Sequence, residues 1–186
     1  DPFRQAEQLF HSGKILASKV YYHKYLLDSP NKNIRQKVFF RLGLIDQNAK
    51  SYTTALWYYQ MLIDSNPNSL LANKAKFNVA ICNYELGNNK KAEKLFKIII
   101  RQSFDKKQQW DALYYLSKLD ALNLNFEDAL QKLKRIYLHY NEGKIGRQAF
   151  DLAEEMIDGV FNEKKLSSLI QKNKTSFPAD LLLLKK

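Results

Sequence analysis

Apolar and small residues along this chain recur on two scales. Locally, large apolar residues stand three apart, as Phe39 with Leu42 and Tyr59 with Leu62, the spacing of a helix with one buried stripe. No segment alternates with period two between hairpin turns, so no strands are expected. On the longer scale the pattern returns every 37 residues. Leu42-Gly43 has counterparts in Val79-Ala80 and Leu116-Ser117, with Ala6 one period earlier. Twelve residues after each small residue stand Ser18, Ala55, Ala92 and Ala129, and four further on Tyr22, Tyr59, Phe96, Leu133 and Ile170. Pro30, Pro67 and Pro178 share another register, with Phe104 and Asn141 in the two rows between.

Helix packing explains these residue types. Small side chains at Gly43 and Ala55 let two antiparallel helices approach closely at their crossing, and large ones fill the space on either side. Gly13 and Gly87 share a register between the two helices, where a left-handed turn residue is needed. In the fourth row that position is Leu124, so the flanking Asn123 and Asn125 are expected to make the turn; Lys50 is a less typical occupant of the second row. Proline then stops the second helix. The pattern predicts an all-α solenoid of five antiparallel helix pairs, over residues 1–34, 35–71, 72–108, 109–145 and 146–178, forming one domain. Helices lining its inner side are expected to start near residues 36, 72 and 109. The fifth row places Glu154 and Leu166 where small residues are expected, so that pair packs differently or acts as a cap. Residues 179–186, with four consecutive leucines from Leu181, read as the start of a further helix in a longer protein.

Three strings carry a family resemblance: Phe39-Phe40-Arg41-Leu42-Gly43, Tyr52-Thr53-Thr54-Ala55-Leu56-Trp57-Tyr58-Tyr59 and Asn66-Pro67-Asn68. Together they resemble the tetratricopeptide repeat, most strongly over 36–140. The resemblance implies a right-handed superhelix and a non-catalytic scaffold that holds a protein or peptide in its concave groove. The extra three residues per period, in the linker from Asn66 to Ala72, are similar to repeats of bacterial envelope proteins. These include outer-membrane assembly lipoproteins and a periplasmic coordinator of cell-wall synthesis. Phe161-Asn162-Glu163-Lys164-Lys165-Leu166 and Phe177-Pro178-Ala179-Asp180-Leu181-Leu182 resemble the helical domain of penicillin-binding-protein activators. These likenesses imply a periplasmic or outer-membrane-associated location, with any lipid anchor outside this chain. A cytoplasmic adaptor or secretion chaperone is the alternative.

Composition narrows the function further. A chain of 186 residues, 45% hydrophobic and 26% charged, has the make-up of a folded domain. Six Gly and four Pro are too few for an all-β chain of many tight turns. The only cysteine, Cys82, excludes an internal disulfide, and its apolar surroundings predict a buried thiol. His11, His23 and His139 have no partner at metal-binding spacing. Glycine-rich phosphate loops, Gly-x-Ser-x-Gly elbows and His-Glu-x-x-His helices are absent. Neither catalytic residues, a metal site nor a small-molecule cofactor is therefore expected.

The candidate binding residues fall on the helices that open each pair. At about 100° per residue, Lys37, Phe40, Arg41 and Leu44 share a face opposite Leu42 and Gly43. One period on, that face holds Lys74, Phe77, Asn78 and Ile81, and another period on Tyr115 and Lys118. In the tetratricopeptide family this face lines the concave groove, and its mix of aromatic, arginine and amide side chains suits a protein interface. The net charge of +11 adds a second candidate, because residues 72–108 alone carry +6, from nine bases and three acids. Lys90, Lys94, Lys97 and Arg101 form a basic ridge on the second helix of the third pair, opposite Ala92 and Phe96. An acidic partner, a polyanion or an anionic membrane surface would suit it. Nucleic acid is disfavoured, because the groove aromatics sit on a different helix and no RNA- or DNA-reading motif is present.

Overall fold

A computed structural model describes residues 1–28, 31–103, 105–140 and 143–160, together with 168 and 171. Among the described residues the chain is all helix and turn. The helices are α1 (Pro2–His11), α2 (Ile15–Asp28), α3 (Lys32–Asn48), α4 (Tyr52–Ser65), α5 (Leu70–Glu85), α6 (Asn89–Gln102), α7 (Lys106–Leu122), α8 (Phe126–Tyr140) and α9 (Lys144–Val160). They divide into two compact units, residues 1–95 and 96–186, with the boundary inside α6. In the first unit α1 packs on α2, α3 on α4 and α4 on α5; in the second α7 packs on α8 and α8 on α9.

The 37-residue register is the packing register. Ser18, Ala55, Ala92 and Ala129 are fully buried, and so are Tyr22, Tyr59, Phe96 and Leu133 four residues on. At Gly43 the fit is tight enough that a Cβ would lie 2.5 Å from the Tyr59 ring. One core gathers Tyr22, Phe39, Leu42, Ala55, Tyr59 and Leu62. A second gathers Leu113, Ala129, Leu133, Ile136, Ala149 and Ile157. Cys82 is buried, and burial pushes its thiol up to about 12. In α9 the register slips by one. Ala153, not its neighbour Glu154, is fully buried, together with Ala149, so in the first helix of the fifth row the small residue is displaced rather than missing.

The four described pairs turn in the same way. Gly13 and Gly87 have φ of 77° and 74°, and at the equivalent positions Lys50 and Leu124 have 60° and 61°. Two hydrogen bonds close each of these turns: residues 13, 50, 87 and 124 donate three residues back, and Lys14, Ser51, Asn88 and Asn125 donate five back, at 2.8–2.9 Å. This is the Schellman arrangement, which satisfies the last carbonyls of the first helix. Leu124 itself takes the left-handed conformation, where the flanking asparagines were expected to. The repeat fixes the turn geometry, and the residue conforms to it.

The pairs are separated where the register predicts. α4 stops before Asn66-Pro67-Asn68, α6 before Phe104 and α8 before Asn141. The expected breaks at Pro30 and Pro178, the second helix of the fifth pair with Leu166 and Ile170, and residues 179–186 lie outside the described residues. The first helices begin two to four residues earlier than expected, at 32, 70 and 106. Their starts are set by N-caps. The Asn31 side chain accepts from the Asn33 and Ile34 N–H groups, Ser69 from Ala72, and Asp105 from Lys107 and Gln108.

Candidate functional site

The first helices α3 and α5 touch each other in the first unit. Their shared face separates into two kinds of residue. Arg41 and Asn78, one period apart, are used inside the fold. The Arg41 guanidinium grips Glu7 of α1 through both carboxylate oxygens, at 2.9 and 3.0 Å, and lies 4.6 Å from the centre of the Phe10 ring. The Tyr22 hydroxyl donates to the same carboxylate. Burial alone would raise the Glu7 carboxyl, but hydrogen bonds from Arg41 and Tyr22 and the charges of Arg41 and His11 outweigh it and hold the group below its ordinary value. Asn78 Nδ2 donates to the Tyr59 hydroxyl at 3.1 Å, and that hydroxyl donates to Gln47 Oε1 at 2.7 Å. In the second unit, Tyr115 at the same register stacks on Phe96, with centroids 5.0 Å apart and planes 6° apart.

Position 41, 78 or 115 on a first helix therefore meets position 22, 59 or 96 on the preceding second helix. These residues, expected on the binding face, couple one repeat to the one before it. Sequence reasoning missed this because the contact joins two rows of the repeat, and only the recurrence of a large second-helix residue 19 places earlier hinted at it.

Around these couplers, Lys37 and Lys74 are exposed, and Phe40, Leu44, Phe77 and Ile81 are half-buried. The Phe40 ring leans on Tyr59 with centroids 6.0 Å apart. On α7, Lys118 lies 5.7 Å from the Tyr115 ring centre and 6.0 Å from that of Tyr114. The α3–α5 face thus offers apolar surface set between two lysines that project to solvent.

The basic ridge keeps its place on α6, where Lys90, Lys94, Lys97 and Arg101 are all exposed. Among the described residues, no group of three His, Cys, Asp or Glu is placed to hold a metal ion. No helix there is long and apolar enough to cross a membrane.

Comparison with known proteins agrees with this architecture. A tetratricopeptide-repeat family model matches residues 37–69, which cover most of α3 and all of α4. No curated protein matches the sequence. Among solved structures, the chain is similar to the Rap conjugation gene regulator of the plasmid pLS20, solved in complex with the Phr* peptide. The TM-score is 0.66 at 16% identity, over 91% of this chain. The match covers 52% of the regulator, so this chain spans about half that protein's length. From its repeat register, its turns and this likeness, the chain has a tetratricopeptide-type helical-repeat fold, with the repeat itself matched over residues 37–69.

Proposed function

We propose that the chain is a non-catalytic scaffold that binds a protein or peptide on the faces of its first helices, with α3 and α5 the principal surface of the first unit. The observation that carries the reading is the division of labour on that face. Arg41 and Asn78 hold adjacent repeats in fixed relation, while Lys37 and Lys74 stand exposed beside the half-buried Phe40 and Phe77. Rigid placement of apolar anchors beside charged groups favours binding, because little conformational freedom is left to lose. The peptide-bound state of the similar regulator supports a peptide as one class of partner.

The test is affinity capture from extract of the native host with mass spectrometry, comparing the protein with Lys37→Glu/Lys74→Glu and Phe77→Ala variants. A specific partner lost from these variants supports the reading. Capture indifferent to them places the working surface elsewhere, the α6 ridge being the next to examine with Lys90→Glu/Lys94→Glu.

We place the scaffold in the bacterial envelope, on the 37-residue period and its longer linker. Fractionation of host cells tests this: recovery in the cytoplasm alone would favour an adaptor or secretion chaperone.

A further inference from the structure

α1 and α2 are joined to α3 by charge. Arg41 of α3 holds Glu7 of α1 through both carboxylate oxygens, and the two side chains are 27% and 25% exposed. Lys19 of α2 is paired with Asp46 of α3, whose carboxylate is almost wholly buried. One period on, the positions of Glu7, Lys19, Arg41 and Asp46 are held by Leu44, Leu56, Asn78 and Asn83. The next junction of the first unit is therefore uncharged at all four. There Asn78 bonds the Tyr59 hydroxyl, and α5 adds Ala72, Ala75 and Cys82 to the core of α3 and α4.

Apolar burial divides in the same way. α1 and α2 bury Ala6, Ser18 and Tyr22, two of them small, whereas α3 alone buries Val38, Phe39, Leu42 and Ile45. A partly exposed ion pair adds little net stability, because the attraction is offset by lost hydration. The Asp46 pair is also incomplete. Its Oδ2 is buried with no hydrogen-bond partner among the described residues, which costs the docked state.

Helices with few buried apolar side chains open before the rest of a fold, as cooperative units. α1 and α2 pack closely on each other, so the two ion pairs break in one step.

We propose that α1 and α2 form a releasable pair, leaving α3 and α4 as one unit while α3, α4 and α5 stay folded. The Glu7–Arg41 and Lys19–Asp46 pairs are its latch. Release frees the Arg41 guanidinium on the face it shares with Lys37 and Phe40, so the latch sets how many cations that face presents. This last consequence rests on the first-helix reading; the release itself does not.

Native-state hydrogen exchange of the whole chain, read by mass spectrometry, is the test, and it involves no partner. At pH 7 the best-protected amides of α1 and α2 should share one protection factor, at least about tenfold below that of α3 to α5. Lys19→Met leaves Asp46 buried without its counter-charge. It should speed exchange in α1 and α2 at least about tenfold further, with the best-protected amides of α3 to α5 unchanged. Glu7→Gln keeps the side chain's size and covers the case in which Lys19→Met does not fold. It should speed the same two helices about threefold or more. The proposal is overturned if α1 and α2 are as protected as α3 to α5, or if α1 exchanges without α2. It is also overturned if a folded variant speeds all five helices alike, or leaves α1 and α2 unchanged.

Discussion

Replacing Leu124 by glycine should make the protein more stable. Leu124 closes the turn between α7 and α8 with φ of 61°, a conformation that costs a residue with a Cβ roughly 1–2 kcal/mol. Its side chain is 74% exposed, so removing it forfeits little burial. Glycine adds freedom to the unfolded chain, which returns about 0.4–1 kcal/mol of that gain. The balance is a stabilisation of about 0.5–1 kcal/mol, and Lys50→Gly should behave alike at φ of 60°. The natural glycines supply the reverse experiment. A Cβ at Gly13 or Gly87 would meet nothing within 4 Å, so the loss on Gly13→Ala or Gly87→Ala is conformational, about 1 kcal/mol. Urea unfolding followed by circular dichroism reads these changes as shifts in midpoint at constant slope. If Leu124→Gly lowers the midpoint while Leu124→Ala leaves it unchanged, the left-handed turn is not where the strain lies.

Other substitutions test the packing and the couplers. Gly43→Ala should destabilise by about 1–3 kcal/mol, because the clash with Tyr59 outweighs the helix-propensity gain of about 1 kcal/mol. Ala55→Leu should cost a similar amount at its fully buried crossing, and neutral urea midpoints for both would refute the assigned contacts. Glu7→Gln should lower stability near neutral pH. The carboxyl is held below its ordinary 4.5, so its contribution is present above that pH and lost as pH falls through the lowered value. The variant should therefore show a shallower loss of stability on acidification, and parallel acid-unfolding curves would contradict the Arg41–Glu7 clamp. Arg41→Ala and Glu7→Ala should be strongly non-additive in a double-mutant cycle, since each leaves the other's half-buried charge unpaired.

What was legible in the sequence was what a 37-residue spacing encodes directly: which positions are small, which are large, and where helices end. Ser18, Ala55, Ala92 and Ala129 are buried because a close crossing demands it at each repeat, so residue type alone revealed them. The turns at Lys50 and Leu124 were harder, because there the repeat geometry overrides residue preference. The roles of Arg41, Asn78 and Tyr115 were illegible for another reason. On a helical wheel they share the groove face, and only the packed repeats show the preceding second helix reaching them.

Site-specific photo-crosslinking in the native host tests the binding face most directly, with a photoreactive residue placed singly at positions 37 and 74 and on the ridge at 94. The first-helix reading predicts one protein partner crosslinked from 37 and 74, with its peptide identified by mass spectrometry. A partner captured from 94 alone, with 37 and 74 silent, would contradict it.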